Sequence, residues 1–332
     1  MDFAQLERFI AVIEGGSFGK AADHLGLSQP GLSKSIHQLE SYFGEPLVDR
    51  GSKGVTPTEL GQVVYRRAKR VLSEWRQLEE ERAAIAGGLS GQIAVGVARG
   101  TGFLGRVIPA ASAKLSQSRY SVRFSVVSGL PEELVPALQL GALDFAIAPL
   151  DAVAGKSDLV GETLFYDRCG LFVDANHPLA RTGAIGIEQL TQYTWLYSTD
   201  VASYYDELCS LAHSRGVEPR KTTINSNSVV YLGAAIIGSQ FVGILSMDSV
   251  EDHVIDGKVV ELVLEPSQRS QVATAAVERP VGFLMRARTE LSEVASALQK
   301  EIYALCPTLG YPLLPRRPRT SRKSMTISPA DQ

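Results

Sequence analysis

Residues 17–40, SFGKAADHLGLSQPGLSKSIHQLE, constrain the fold of this chain more than any other stretch. Phe18, Ala22 and Leu25 recur at three- and four-residue spacing, which predicts a short helix with one apolar face. Gly26-Leu27 interrupts it. Ser28 then stands where an N-cap belongs, and Pro30 is tolerated in the turn that follows. Leu32, Ile36, Leu39 and Phe43 mark the buried face of a second helix. At about 100° per residue, Pro30, Lys34, His37 and Ser41 fall opposite that face, with Ser33 and Gln38 on its flanks. This outer face is short-chained and polar and carries one full positive charge, which suits a helix that enters a DNA groove and meets base edges. Two helices joined by a glycine turn also describe an ordinary αα-hairpin, so the pattern alone leaves both readings open.

The flanking sequence extends the motif. Leu6, Phe9, Ile10 and Ile13 form the apolar stripe of an earlier helix closed by Gly15-Gly16, and Ser17 can cap the next. Beyond Gly44, EPLVDRGSKGVTPT reads as a two-stranded wing with Gly51 and Gly54 flanking its tip. Arg50, Lys53, Thr56 and Thr58 are then available to phosphates or a minor groove. The run GSFGKAADHLGLSQPGLSKSIHQLESYFGEPLVDR, continued by GVTPTELG, resembles the N-terminal signature of LysR-type transcriptional regulators in order, spacing and position, over about residues 1–65. One departure is Val48, where that family usually has an aromatic residue after Leu47; packing should change more than function. The resemblance implies a winged helix-turn-helix with Gln29, Pro30, Ser33 and Lys34 in the major groove and Lys53 as a wing contact. Ser28, His37, Arg50 and Thr56 complete the expected DNA-binding set. Taken by itself, Lys53 is a solvated loop lysine.

Charge alone does not announce a nucleic-acid partner. The 332 residues carry a net charge of −3. Residues 1–70 hold nine Lys/Arg against eight Asp/Glu, and residues 91–307 hold seventeen against twenty-three, so local placement has to carry the argument. The length suggests two or three domains. No apolar run approaches the ~18 residues that span a bilayer, and MDFAQLERF is an amphipathic helix start and not a signal peptide. A cytoplasmic protein with no membrane partner is expected. Cys169, Cys209 and Cys306 form no C-x-x-C pair and read as reduced thiols; a redox-sensing pair is the alternative.

From Thr58 to about Ala86 one helix of roughly 42 Å is predicted at 1.5 Å per residue. Val64, Val71, Leu78 and Ile85 recur every seven residues, and Ala68, Trp75 and Arg82 take the interleaved positions. The pattern is that of a dimerising seam. Glu79-Glu80-Glu81 is a solvated face. Gly87-Gly88 and Ser90-Gly91 supply a hinge.

Beyond Gly91 strands and helices alternate. IAVGVA, a helix over about 103–117, YSVRFSVV, PEELVPALQLG and LDFAIAPL give βαβαβ order and hence a parallel sheet. ETLFYDRCGLFVDANHPLA is expected to supply two strands and a turn. TWLYS, YYDELCSLAHS, TTIN, SVVYLGAAIIG, FVGILS and VVELVL make a second α/β unit, and ATAAVERPVGFLMRA with the helix TELSEVASALQKEIYAL returns to the first. Chain crossings near 150–162 and 264–272 then join two lobes, a plan shared with periplasmic binding proteins and with the effector domain of the family resembled. GALDFAIAPL is similar to a segment of that domain. The expected division is a winged domain over 1–58, a linker helix over 59–87 and an α/β effector domain over 91–307. Lobe I takes about 91–161 and 267–307, and lobe II about 162–266. Residues 308–332 are expected to be a basic, proline-rich, disordered tail.

The five histidines show no metal-ligand spacing, and no G-x-S-x-G, Walker A or complete G-x-G-x-x-G is present. Neither an enzyme nor a cofactor is expected; an enzyme or small-molecule-binding protein on the same two-lobed plan is the rival. In open α/β sheets, ligands collect at the carboxyl ends of strands, where helix N-termini present free N–H groups. That rule selects Arg99, Gly100, Thr101 and Gly102 after the first strand, Ser128 after the second, and Tyr197, Ser198 and Thr199 from the other lobe. Arg99 would favour an anionic effector; the bland reading is a surface arginine beside helix-capping hydroxyls. The expected partners are therefore a small effector and a pseudo-palindromic promoter duplex read by a homodimer. The family resemblance adds a homotetramer and leaves room for RNA polymerase.

Overall fold

The computed structural model describes residues 1–51, 54–85, 90–98, 102–117, 121–221, 223–273, 278–287 and 289–311. The expected hinge at Gly87-Gly88 and residues 312–332 of the expected tail lie outside the described residues. Helix α1 (Phe3–Gly15) starts at Asp2, whose carboxylate accepts the Gln5 N–H at 2.7 Å while the Gln5 side chain accepts the Asp2 N–H. This reciprocal box satisfies two donors that a bare helix start leaves open. Ser17 caps α2 (Phe18–Leu25), and Ser28 caps α3 (Gln29–Phe43). Strands β1 (Val48–Gly51) and β2 (Gly54–Pro57) pair antiparallel as the wing. Phe9, Leu32, Ile36, Leu39 and Leu47 are fully buried beneath these elements, and Val48 packs among them in place of an aromatic ring. Each large apolar side chain so buried contributes on the order of 1.5–3 kcal/mol.

Helix α4 (Glu59–Ile85) is the long linker. Its predicted seam divides. Val64 and Ala68 are buried in the winged domain's own core, because α4 packs its first turns against α1. Val71, Trp75 and Leu78 stay 45%, 43% and 52% exposed, and Phe3 stacks on Trp75. Arg82 is exposed and pairs with Glu79. A third face, with Arg70, Ser73 and Gln77, turns to the effector half.

That half opens with β3 (Ser90–Ala98), α5 (Phe103–Ser116), β4 (Ser121–Gly129), α6 (Pro131–Gln139) and β5 (Phe145–Pro149), in parallel order β4-β3-β5. Ser90-Gly91, expected in the hinge, already pairs within β3. The segment expected to be two strands with a turn is instead one 16-residue strand, β6 (Leu159–Asp174). Asp-Arg-Cys-Gly looks turn-like in isolation, but β6 is paired along its length, and Asp167 and Arg168 are each held by an ion pair. The second unit follows as β7 (Ala184–Ile185), α7 (Ile187–Leu190), β8 (Trp195–Ser198), α8 (Ala202–Ser214), β9 (Thr223–Ser226), α9 (Val229–Ile236), β10 (Val242–Ser246), α10 (Met247–Ile255), β11 (Val259–Leu264) and α11 (Pro266–Arg269). The sequence pattern does not mark α10. Strand β12 (Glu278–Arg286) and the helix Glu293–Leu305 return to the first unit. Leu159 to Arg168 of β6 register against β12, whereas Cys169 to Asp174 register against β10 and β11. One strand therefore belongs to both lobes. Each lobe has its own cores, around Phe103, Phe145 and Phe283 in the first and Trp195, Tyr204 and Leu208 in the second.

Candidate nucleic-acid interface and effector cleft

The short polar residues of α3 face outward because the apolar residues on its other side are committed to the core. Ser28, Gln29, Pro30, Lys34 and His37 are exposed, and Ser33 is half-buried. Ser28 Oγ accepts the Gly31 N–H at 3.3 Å, so this residue is a helix cap as well as a surface hydroxyl. His37 Nδ1 lies 3.2 Å from Glu40. On the inner flank, Arg8 donates to Ser35 at 3.0 Å, and Glu40 accepts the N–H groups of Leu47 and Val48, which fixes the wing to the recognition helix.

The wing is also clamped from its other side. Val55 N–H donates to the Gly16 carbonyl at 2.8 Å, and at Gly54, φ 111°, a Cβ would sit 2.5 Å from that oxygen. Glycine is required there by both conformation and space. Arg50 lies 4.3 Å over the Phe18 ring and donates to Ser33 at 3.3 Å, so it joins wing to recognition helix in addition to facing outward. Thr56 is exposed on β2 opposite Asp49. Lys53 lies outside the described residues.

The cleft is assembled differently. Arg99, Gly100 and Thr101 lie outside the described residues. Gly102 is at the N-terminus of α5, and Ser128 is exposed at the end of β4. Across from Gly102 stands α10 of the second lobe: Asp248 accepts the Phe103 N–H at 3.0 Å, and a Cβ on Gly102 would collide with its carbonyl. Tyr311 O–H donates to the other Asp248 oxygen, and Arg106 pairs with Glu251, so polar groups of the two lobes bridge the gap here. Burial pushes the Asp248 carboxyl up to about 7, with Asp167 adding to the rise and the Tyr311 and Phe103 hydrogen bonds opposing it. The helix N-terminus on which an anion was expected is thus met by the protein's own carboxylate.

Tyr197, Ser198 and Thr199 make their contacts within the second lobe. Tyr197 stacks on Tyr205 at 4.1 Å, Ser198 Oγ binds Asp200, and Thr199 donates to Asn225 at 3.1 Å. Their polar groups hold the second lobe together. Sequence reading missed the group between them and the first lobe: Arg279 donates to Asp167 at 2.8 Å and to Asp200 at 2.6 Å, while Ser246 donates to Asp167 at 2.6 Å. Burial works against the charge on Arg279, and the two carboxylates more than offset it, so its pKa rises. A charged Asp and Arg inside otherwise apolar strands were the available signal, but nothing in the sequence pairs residues so far apart. Cys169, nearby, is a buried free thiol pushed up to about 12 by burial, a poor nucleophile. No helix among the described residues is long and apolar enough to cross a membrane.

A capped recognition helix with a wing, carried on a long helix from a two-lobed α/β domain, defines a DNA-binding regulator with a ligand-binding module. Known proteins agree with this class. Residues 86–306 match the family described as the LysR substrate binding domain, and residues 3–62 match the bacterial regulatory helix-turn-helix protein, lysR family. The chain belongs to the LysR family of transcriptional regulators. It is 28% identical over 240 residues to the HTH-type transcriptional regulator TdcA of Escherichia coli K12, covering 72% of this chain and 75% of that protein. It is 26% identical over 300 residues to PcaQ of Agrobacterium fabrum, covering 90% and 93%. A full-length cysteine-to-aspartate variant of OxyR from Pseudomonas aeruginosa shares the fold with a TM-score of 0.65 at 22% identity, covering 91% of this chain and 94% of that one. Full-length CbnR complexed with its target DNA gives 0.58 at 19% identity, covering 92% and 99%.

Proposed function

We propose that this regulator reads promoter DNA through Gln29, Pro30, Ser33 and Lys34, with Ser28, His37, Arg50, Lys53 and Thr56 positioning the duplex. The observation that carries this reading is the exposed face of α3, whose Gln29 and Lys34 side chains have no partner among the described residues. An amide can pair with adenine and an ammonium with guanine or phosphate. We further propose three functional parts: residues 1–58 bind DNA, 59–87 link and dimerise, and 91–307 sense an effector. The open stripe of Val71, Trp75 and Leu78, extended by Phe3, supports pairing of two α4 helices across a two-fold axis. Such a dimer reads a pseudo-palindromic site. A tetramer follows if the effector domains pair as well. The protein acts in the cytoplasm as a regulator without catalysis.

The effector enters between the lobes, at Arg99, Gly100, Thr101 and Gly102 on one side and Ser128 beside them. An anionic effector would rely on Arg99, since the described part of the cleft sets Asp167, Asp200 and Asp248 against Arg279. From the second lobe, Tyr197, Ser198 and Thr199 complete the proposed effector-binding set. The test uses a duplex selected by the wild-type chain from a random pool. Replacing Ser33 and Lys34 together by alanine is expected to cost about 1–3 kcal/mol of affinity for each base interaction removed, and a smaller salt slope if a phosphate interaction goes with it. Unchanged affinity and unchanged sequence preference in a shift assay would remove α3 as the reading element.

A further inference from the structure

Between the linker helix and the first lobe lies a cavity of 490 Å³, with α4 on one side and the last turn of α6 on the other. It is at the end of α6 remote from Gly129 and the cleft, about 14 Å along the helix at 1.5 Å per residue. Val63 of α4 and Pro136 and Leu140 of α6 give it apolar walls, and Arg66, Arg67 and Arg70 give it three cations. Among the described lining residues Asp158 is the one acid near them, and its oxygens are already engaged. Arg70 donates to it at 2.9 Å and the Gln139 amide at 3.1 Å, while Arg70 Nε–H donates to the Gln139 carbonyl at 2.7 Å. Arg70 and Asp158 therefore neutralise each other. Arg66 and Arg67 are left over.

Both are exposed, and neither forms a hydrogen bond or ion pair with a described residue. Arg66 and Arg70 stand four apart on one helix, where like charges repel. Glu74, the next acid along α4 past Arg70, acts on Arg286 instead. The space is of small-molecule size, and α6 closes the side opposite the arginines, so a duplex does not enter it. Guanidinium forks grip phosphoryl oxygens two at a time. We propose that this cavity is a second ligand site, for a small compound that carries two or more phosphoryl charges on an apolar or ring-shaped body. Arg66 and Arg67 hold the phosphoryl groups, and Pro136 and Leu140 pack on the body. Arg66 lies roughly 140° around the helix from Val71, so pairing of two α4 helices leaves it open. The site shares no residue with the cleft or with the reading face of α3, and either can stand without it.

Calorimetry of the intact chain tests this with ADP and pyrophosphate as probes, without added metal. ADP is expected to bind with a Kd below about 1 mM, and pyrophosphate more weakly, because it leaves the apolar walls uncovered. Arg66→Ala combined with Arg67→Ala removes no bond of the fold and should weaken ADP by roughly tenfold or more. Pro136→Glu puts a carboxylate on the facing wall at an exposed position and should weaken it as much. Affinity of the double variant for the duplex selected by the wild-type chain should keep its salt slope. Three results would overturn the site. ADP may give no heat of binding up to about 5 mM, well above the range expected. Binding that the arginines control but Pro136→Glu leaves alone would put the anion on the open helix surface. A salt slope shallower by about two would assign both arginines to duplex phosphates.

Discussion

On α3, Gln29, Pro30, Lys34 and His37 stand exposed on a helix whose other side is sunk in a core. Around the cleft, Asp167, Asp200, Ser246, Arg279, Asp248 and Tyr311 are turned inward and held in hydrogen-bonded groups. The first region is prepared for a large polyanion that brings its own partners, so free side chains cost little in water. The second must keep polar groups satisfied while no ligand is bound, because an unpaired group in a low-dielectric cleft is expensive. The two regions therefore respond oppositely to the loss of a side chain: the DNA face loses affinity and keeps its fold, and the cleft loses its fold first.

The sharpest way to break this contrast is Arg279→Ala. It leaves Asp167, with a side chain 1% exposed, and Asp200 without their cation. Removing one partner of a buried pair costs about 3–5 kcal/mol. Urea unfolding of the full chain should show that loss in the effector half, with Arg279→Lys falling between. A loss below about 1 kcal/mol, the scale of surface pairs, would mean that the network is solvated and the contrast unfounded.

A smaller effect should appear with pH. Asp248 titrates at about 7 in the folded protein against an ordinary 3.8. Between those values the native state holds a proton that the unfolded chain has released. The contribution of this residue to stability is therefore highest at the acid end and falls as pH rises, by at most about 1.4 kcal/mol per unit. Asp248→Asn removes that dependence. The difference in unfolding free energy between wild type and variant at pH 5 and pH 7 isolates it, and equal differences at both would show that Asp248 is not desolvated.

The mildest case probes the one residue of the DNA face that serves as a helix cap too. Ser28→Ala should cost about 1 kcal/mol through the lost cap. Ser28→Asp should restore stability while placing an anion against phosphate, so melting temperature and duplex affinity should move apart. Parallel losses of both in the aspartate variant would mean that Ser28 acts only through the helix.

This difference also decides what could be read without coordinates. Helix caps Ser17 and Ser28, the wing and the face of α3 depend on residues within a few positions of each other, and the periodicity of Leu32, Ile36 and Leu39 orients them all. The heptad of α4 is half legible: Val64 and Ala68 keep the register, but α1 claims them before a second copy can. Around the cleft, neighbours in space come from separate segments. Asp248 starts a helix with no marked periodicity, and it reaches Phe103 and Tyr311 only because two lobes close on each other. Asp-Arg-Cys-Gly in β6 reads as a turn until the strands that pair with it are known.

That shared strand has a consequence for how such proteins diversify. The first lobe is encoded by two separate segments around the second, and β6 cannot be divided without cutting hydrogen bonds in both lobes. Recombination that exchanged one lobe would need a breakpoint inside paired strands, where a one-residue slip turns every side chain to the wrong face. Exchange of one lobe therefore breaks strand pairing, whereas point substitution around the cleft leaves the shared strand whole.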